Sequence, residues 1–215
     1  MTKIFLETSS KNNEFIFIAD LIFHFCHKVE GKDYIIITTG GKSKLDSQRN
    51  LFFDHEDKSE KNVVIFDADF PLSEKNDNGG YEHRSKFLSE KIKSWNIEIP
   101  TEIFLFPNNH DDGIFENLLE KIVQPEHLCI LNYFKEYEDK LNSHKDKSGE
   151  CKYNSPDQKA RIYAYASAVK KRSNKEYEFF KRGDWSFLDS RYWDLNCDYM
   201  KPLKNFLINI FNEAI

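Results

Sequence analysis

Apolar residues along the chain follow two alternating rhythms, short continuous runs and spaced stripes. Ile4-Phe5-Leu6 is a short run that ends on Glu7. After a polar stretch, Phe15, Ile18, Ala19, Ile22, Phe25 and Cys26 recur at three- and four-residue steps, which predicts a helix with one buried stripe. Residues 34–39 read as a buried strand that stops at Gly40-Gly41, and residues 45–53 as a short helix. Val63-Val64-Ile65-Phe66 is a further buried strand, bounded by Asp67-Ala68-Asp69-Phe70-Pro71. A polar loop over 72–80 and a helix over 81–95 follow. Glu102 to Phe106 form the last strand, closed by Pro107, and residues 114–123 are helical. Continuous apolar strands alternating with helices predict an α/β fold, a parallel sheet of about four strands flanked by helices. In such sheets ligands bind beyond the carboxyl ends of the strands.

After Gln124 the strand rhythm fades. Residues 128–141, 160–171 and 204–212 carry helical patterns, while 142–158 has no apolar period and reads as a long polar loop. The expected organisation is a sheet domain over 1–125 and a C-terminal helical extension over 126–215 packed on it. A length of 215 residues suits that better than two independent domains.

Composition narrows the class. Forty per cent of residues are hydrophobic and fifteen per cent aromatic, enough to fill a sizeable core. The longest apolar stretch is broken by Asp20 and His24, short of the roughly 20 residues a membrane span needs. The first residues lack the pattern of a signal peptide. Cys26, Cys129, Cys151 and Cys197 make no C-x-x-C pair and read as reduced thiols of a cytoplasmic protein. Net charge is −5, but it is unevenly spread. Residues 1–130 hold 15 basic and 23 acidic side chains, residues 131–215 hold 16 and 13, and residues 159–182 hold eight and two. An acidic half beside a basic segment fits a metal site next to a phosphate-binding surface, and a solvated helix face competes as an explanation.

The acidic positions carry the sharpest signal. Asp67 and Asp69 are alternate residues leaving a strand end, so both can aim at one ion beyond the sheet. The plainer reading is an Asp-rich turn that caps backbone amides. Glu7 occupies the equivalent place on the first strand, as a general base or a metal ligand. In Asp111-Asp112-Gly113-Ile114-Phe115-Glu116, Glu116 falls at a helix start, where a carboxylate is favourable without any function, and Asp111 or Asp112 could serve instead. Three strand ends thus deliver acid to one edge of the expected sheet.

The series Ile-Phe-Leu-Glu7, a strand ending in Gly-Gly, Val-Val-Ile-Phe-Asp67-Ala-Asp69, Ile-Phe-Leu-Phe-Pro and Gly-Ile-Phe-Glu116-Asn-Leu-Leu resembles the Toprim domain. That Rossmann-like fold is shared by topoisomerases, DnaG-type primases, ribosomal-RNA maturases and the overcoming-lysogenization-defect nucleases. The resemblance covers about residues 1–123, and its late Gly-x-x-Glu-x-Leu-Leu element looks most like the nuclease branches and small Toprim-clan proteins with a helical tail. It implies a Toprim-like site with Glu7 as general base or ligand, Asp67 and Asp69 on magnesium or manganese, and Glu116 completing a second position. One or two ions are compatible with it. The family commonly has Glu-Gly-x-x-Asp at the first motif; here Glu7 is followed by Thr8-Ser9-Ser10-Lys11, with no glycine and no aspartate four places on.

Beyond the acids, Lys159 lies one turn before Ile162 on the stripe Ile162, Tyr165, Ala166, Val169, and the resemblance makes it the candidate for stabilising charge on a phosphate, with Arg161 second. Lys170, Lys171, Arg172, Lys175, Lys181 and Arg182 are candidate nucleic-acid contacts without sequence preference. Phe179, Phe180, Trp185, Phe187, Tyr192 and Trp193 follow closely; aromatic residues there can stack on unpaired bases, although core packing is the commoner role. His24 and His27 have no matching ligand, and His110 stands beside the acidic loop. The leading expectation is a magnesium-dependent nuclease acting on DNA or RNA. The alternatives are a non-catalytic Toprim-like module binding nucleic acid or protein, and a haloacid-dehalogenase-type phosphatase. Phe70-Pro71-Leu72 after Asp69 lacks the Thr or Val that the phosphatase motif carries. A protein partner or a homo-oligomer is compatible with each.

Overall fold

The computed structural model describes residues 1–53, 61–71 and 79–212. Most of the polar loop expected over 72–80 lies outside them. Four strands, β1 (Thr2–Leu6), β2 (Tyr34–Thr38), β3 (Asn62–Asp67) and β4 (Thr101–Phe106), form one parallel sheet in the order β2-β1-β3-β4. Leu6 pairs with Thr38 on one side and Ile65 on the other, and Asp67 pairs with Phe106. The sheet is flanked by helices, so the α/β class read from the apolar rhythm is the observed one. In this order the chain reverses its direction of travel across the sheet between β1 and β3, and that gap is where the strand ends open a crevice.

Strand residues are buried on both faces, which explains their unbroken apolar runs. On one face Phe5, Val64, Phe66 and Leu105 pack with Leu45 and Phe52, with Leu88 and Ile92 of α3 (Tyr81–Ser94), and with Trp95 at its C-cap. Phe5 stacks on Phe52 at 3.8 Å between ring centroids. The segment expected as one short helix at 45–53 is a 3-10 stretch, Lys42–Gln48, that runs into one α-turn, α2 (Arg49–Phe52). Helix α1 (Asn13–Cys26) covers the other face; Asn12 caps it by accepting the Phe15 N–H, and His27 ends it in the left-handed conformation. Phe17 of α1 meets Phe115, which in turn meets Phe106.

Two compact units divide the chain, Met1–Leu118 with Asn196–Ile215, and Leu119–Leu195. Helix α8 (Lys201–Asn212) therefore belongs to the sheet unit: Phe206 packs on Phe104 of β4 and Phe211 on Tyr34 of β2. Its apolar face supplies the cover that the sheet's own crossovers leave open. Among the described residues no helix is long and apolar enough to cross a membrane, and the four cysteines are free thiols.

The second unit holds α5 (Leu128–Ser143), α6 (Ala160–Ala168) and α7 (Asn174–Lys181) around an aromatic core. Trp185, Phe187, Tyr192 and Trp193 are buried, and their polar handles are satisfied: Trp193 Nε1 donates to the Trp185 carbonyl at 2.8 Å and Tyr165 Oη to the Tyr192 carbonyl at 2.6 Å. Core packing is thus the role of most of these rings. A charged network ties α7 to the following loop. Arg191 bonds both Asp189 and Glu176. The Arg191 guanidinium holds the Asp189 carboxyl below its ordinary range. Burial alone would push Glu176 up, but the Arg172 N–H, Arg191 and the Tyr192 hydroxyl outweigh it and hold it low. Carboxyls with depressed folded values stabilise fully above their unfolded values of about 4, and that stability is lost as pH falls through the folded ones. The thermal midpoint of the protein is expected to fall between pH 5 and pH 3, and Glu176→Gln is expected to flatten that dependence. An unchanged slope in the variant would remove Glu176 from the explanation.

Candidate functional site

The acidic edge is assembled by backbone hydrogen bonds between strand ends. Glu7, one residue past β1, accepts the Lys42 N–H at Oε1 and the Asp67 N–H at Oε2, both at 3.1 Å. Its carboxylate therefore bridges the ends of β1 and β3 and the loop after β2, across the sheet's switch point. Asp67 closes β3, and its Oδ1 accepts the Phe115 N–H at 2.8 Å, capping α4 (Phe115–Lys121) from another element. Asp69 sits in the left-handed region (φ 59°), which aspartate tolerates better than most residues. The turn is pinned on both sides, since Ala68 N donates to the Phe106 carbonyl and Gly113 N to the Asp69 carbonyl. Gly113 is required here: its φ is 142°, and an added Cβ would fall 2.8 Å from Asn117 Oδ1.

Two cations that sequence reading missed complete the site. Arg84 of α3 is wholly buried and pairs through Nη2 with Asp69 Oδ2. Its Nε and Nη1 have no hydrogen-bond partner among the described residues. Lys42 Nζ reaches the same Asp69 oxygen at 3.3 Å and is partly exposed. Both signals were present in the sequence. Arg84, Leu88 and Ile92 fall at four-residue steps, an arginine on a buried stripe, and Lys42 directly follows the Gly40-Gly41 break.

Positive charge is unevenly shared. Burial pushes the Asp67 carboxyl well up, and Glu7, Glu116 and Asp69 add to it, against which the Phe115 N–H is a partial offset. Burial also raises Glu7, while Arg84 and the Asp67 N–H oppose that shift. Both cations touch Asp69, and neither forms an ion pair with Asp67. Asp67 therefore sits beside other carboxylates with no cation among the described residues bonded to it. Among the described residues no three His, Cys, Asp or Glu side chains are disposed as a ready metal cage. Magnesium seldom uses one: it keeps several waters and takes one or two carboxylates together with substrate phosphate. The donor chemistry and the charge deficit fit such an ion, with Asp67 Oδ2 outside any hydrogen bond to the described residues.

Each of the other sequence candidates has a definite place. Glu116 lies buried in the first turn of α4, close enough to Asp67 to raise its carboxyl. Asp112 Oδ1 accepts the Tyr81 N–H at 2.7 Å and so caps α3. His110 is exposed beside Asp111. Lys159 is exposed at the N-cap of α6, off the buried stripe, because the helix begins only after it. Arg161 is held by Glu120 at 3.1 Å and Glu138 at 2.6 Å. Both lie in the second unit, and within the sheet unit Lys42 and Arg84 are bonded to Asp69. Arg172 is engaged with Asp189, while Lys170, Lys175, Lys181 and Arg182 are at the surface of the second unit.

Glu7→Gln separates the tether from the charge. An amide NH2 cannot accept, so one of the two N–H donors held by Glu7 loses its partner, which costs about 1–3 kcal/mol. Denaturant unfolding of the variant is expected to show that loss; an unchanged midpoint would mean the tether carries no load.

No curated protein and no solved structure matches the chain. The family model described as "Protein of unknown function (DUF3226)" matches residues 12–212, and the chain belongs to that family.

Proposed function

We propose that this chain is a magnesium- or manganese-dependent nuclease whose acidic site lies at the β1/β3 switch point. The observation that carries the reading is the charge deficit at Asp67. The Asp67 carboxylate lies beside Glu7 and Glu116, while Arg84 and Lys42 pair with Asp69 instead. Carboxylates held side by side repel one another, and a hard divalent cation at Asp67 would relieve that repulsion.

In this reading Asp67, with Asp69 and Glu116, would hold the ion, which would supply charge neutralisation at a phosphodiester and lower the pKa of a water. Glu7 would be the base: its oxygens are fixed by two N–H donors, and burial raises its carboxyl, which strengthens it as a proton acceptor. Lys42, partly exposed at the rim, orients a substrate phosphate. Arg84 holds Asp69 in place from beneath.

A second reading has its own support. Arg84 already neutralises one of the acids from inside, as a non-catalytic module with a self-satisfied cluster would arrange. Incubating the chain with mixed DNA and RNA in magnesium, manganese or EDTA separates the two. Metal-dependent cutting that Glu7→Gln and Asp67→Asn both lose supports the nuclease. Absence of cutting with either metal on every substrate favours the binding module.

A further inference from the structure

The second unit contains a cavity of about 240 Å³ between α6 and α7, at the edge of the aromatic core. Its walls are rings: Trp185 and Phe180 form the inner side, and Tyr163 and Tyr177, each about half exposed, stand at the mouth. Tyr163 meets Trp185 edge-on at 5.0 Å, which sets the angle between two walls. Lys171 and Lys181 line the same cavity. The Lys171 ammonium is fixed, donating to the Ala166 carbonyl at 2.6 Å and lying 4.0 Å above the Phe180 ring. A shallower hollow of about 450 Å³ adjoins it, sharing Ser167, Lys171 and Tyr177 and adding Lys170 and Arg172. Among the described residues no carboxylate lines either space, and Lys170, Lys171 and Lys181 make no ion pair.

We propose that this cavity takes one unpaired base of a single-stranded nucleic acid, its ring against the aromatic walls and the flanking phosphates on the lysine-lined hollow. Three features select that occupant. The cavity is smaller than the roughly 300–1,000 Å³ that drug-sized ligands fill, and it suits a single planar ring. Its walls present π-faces and edges, on which any base can stack. The charged side chains that line it and the adjoining hollow are all cations, so an anionic chain carrying flat rings is complementary to it. A duplex, whose bases are stacked and paired, cannot place a ring there without opening. The inference shares with the proposed function only the class of partner; it needs neither the metal nor the acidic edge.

The test is therefore run in EDTA on the full chain carrying Asp67→Asn. Fluorescence anisotropy compares a labelled 12-nucleotide thymidine strand with a blunt duplex and with an acidic tyrosine-containing peptide. The single strand is expected to bind at least ~10-fold more tightly than the duplex. Tyr177→Ala, at an exposed ring, is expected to weaken it about 10-fold, the equivalent of one lost stacking contact of about 1.4 kcal/mol. Ser167→Trp, which fills the cavity from its rim, is expected to do the same, and Lys170→Glu to lower the salt dependence. Equal binding of strand and duplex, indifference to both cavity variants, preference for the peptide, or no binding of the strand would each overturn the proposal. Those results would leave metal-dependent cleavage by the unmodified chain as a separate question.

Discussion

Replacing Arg84 with alanine is expected to destabilise the folded chain by about 3–5 kcal/mol, the range seen when one partner of a buried ion pair is removed. The side chain has no solvent exposure, and its guanidinium is the nearest fixed positive charge to Asp69 and also acts on Glu7. Its loss leaves Asp69 with Lys42 as its remaining ion-pair partner among the described residues and opens a void where a long side chain was packed. Lys42→Ala removes a contact to the same Asp69 oxygen, yet Lys42 is 40% exposed and its loss is expected to cost under about 1 kcal/mol. Chemical unfolding of the two variants checks the contrast. Similar midpoints would mean that Arg84 is not the cluster's principal counter-charge.

The second large effect runs the opposite way. Asp67→Asn is expected to abolish metal-dependent cleavage while leaving the fold as stable as before, or more stable by about 1–2 kcal/mol. Asparagine keeps the Oδ1 that accepts the Phe115 N–H, so the cap on α4 survives. What it removes is a negative charge that burial, Glu7, Glu116 and Asp69 all disfavour. Carboxylates kept for structure lose stability when neutralised, and those kept for chemistry gain it at the expense of function. Paired unfolding and cleavage measurements on this variant distinguish the two, and a marked loss of stability would identify Asp67 as a structural cap.

Much of the sheet was legible because the central strands β1 and β3 are buried on both faces, so apolar residues run without interruption through Ile4-Phe5-Leu6 and Val63 to Phe66. The strand-end position of Glu7 and Asp67 followed from the same runs. Helix periodicity located α1 and α3, but residues 42–52 fold as a 3-10 turn leading into a single α-turn, which has no periodic signature to read. The place of α8 was also hidden: an amphipathic stripe says that a helix is covered, not by which surface. At the site, sequence reading followed carboxylates and passed over their counter-charge. The stripe argument applied to Lys159 belonged to Arg84, whose spacing with Leu88 and Ile92 carries it into the core, whereas Lys159 sits outside the first turn of α6. Cross-element contacts such as Asp67 to the Phe115 N–H join residues 48 positions apart, and nothing local encodes them.

Calorimetric titration of manganese into the metal-free chain, alongside Asp67→Asn, tests the charge deficit at the β1/β3 switch point most directly. Saturable binding by the unmodified chain, lost in the variant while the variant remains folded, is the result expected. Absence of binding to the unmodified chain, or equal binding by both, would contradict a divalent cation at Asp67 and leave Arg84 and Lys42 as the cations the acidic edge was built around.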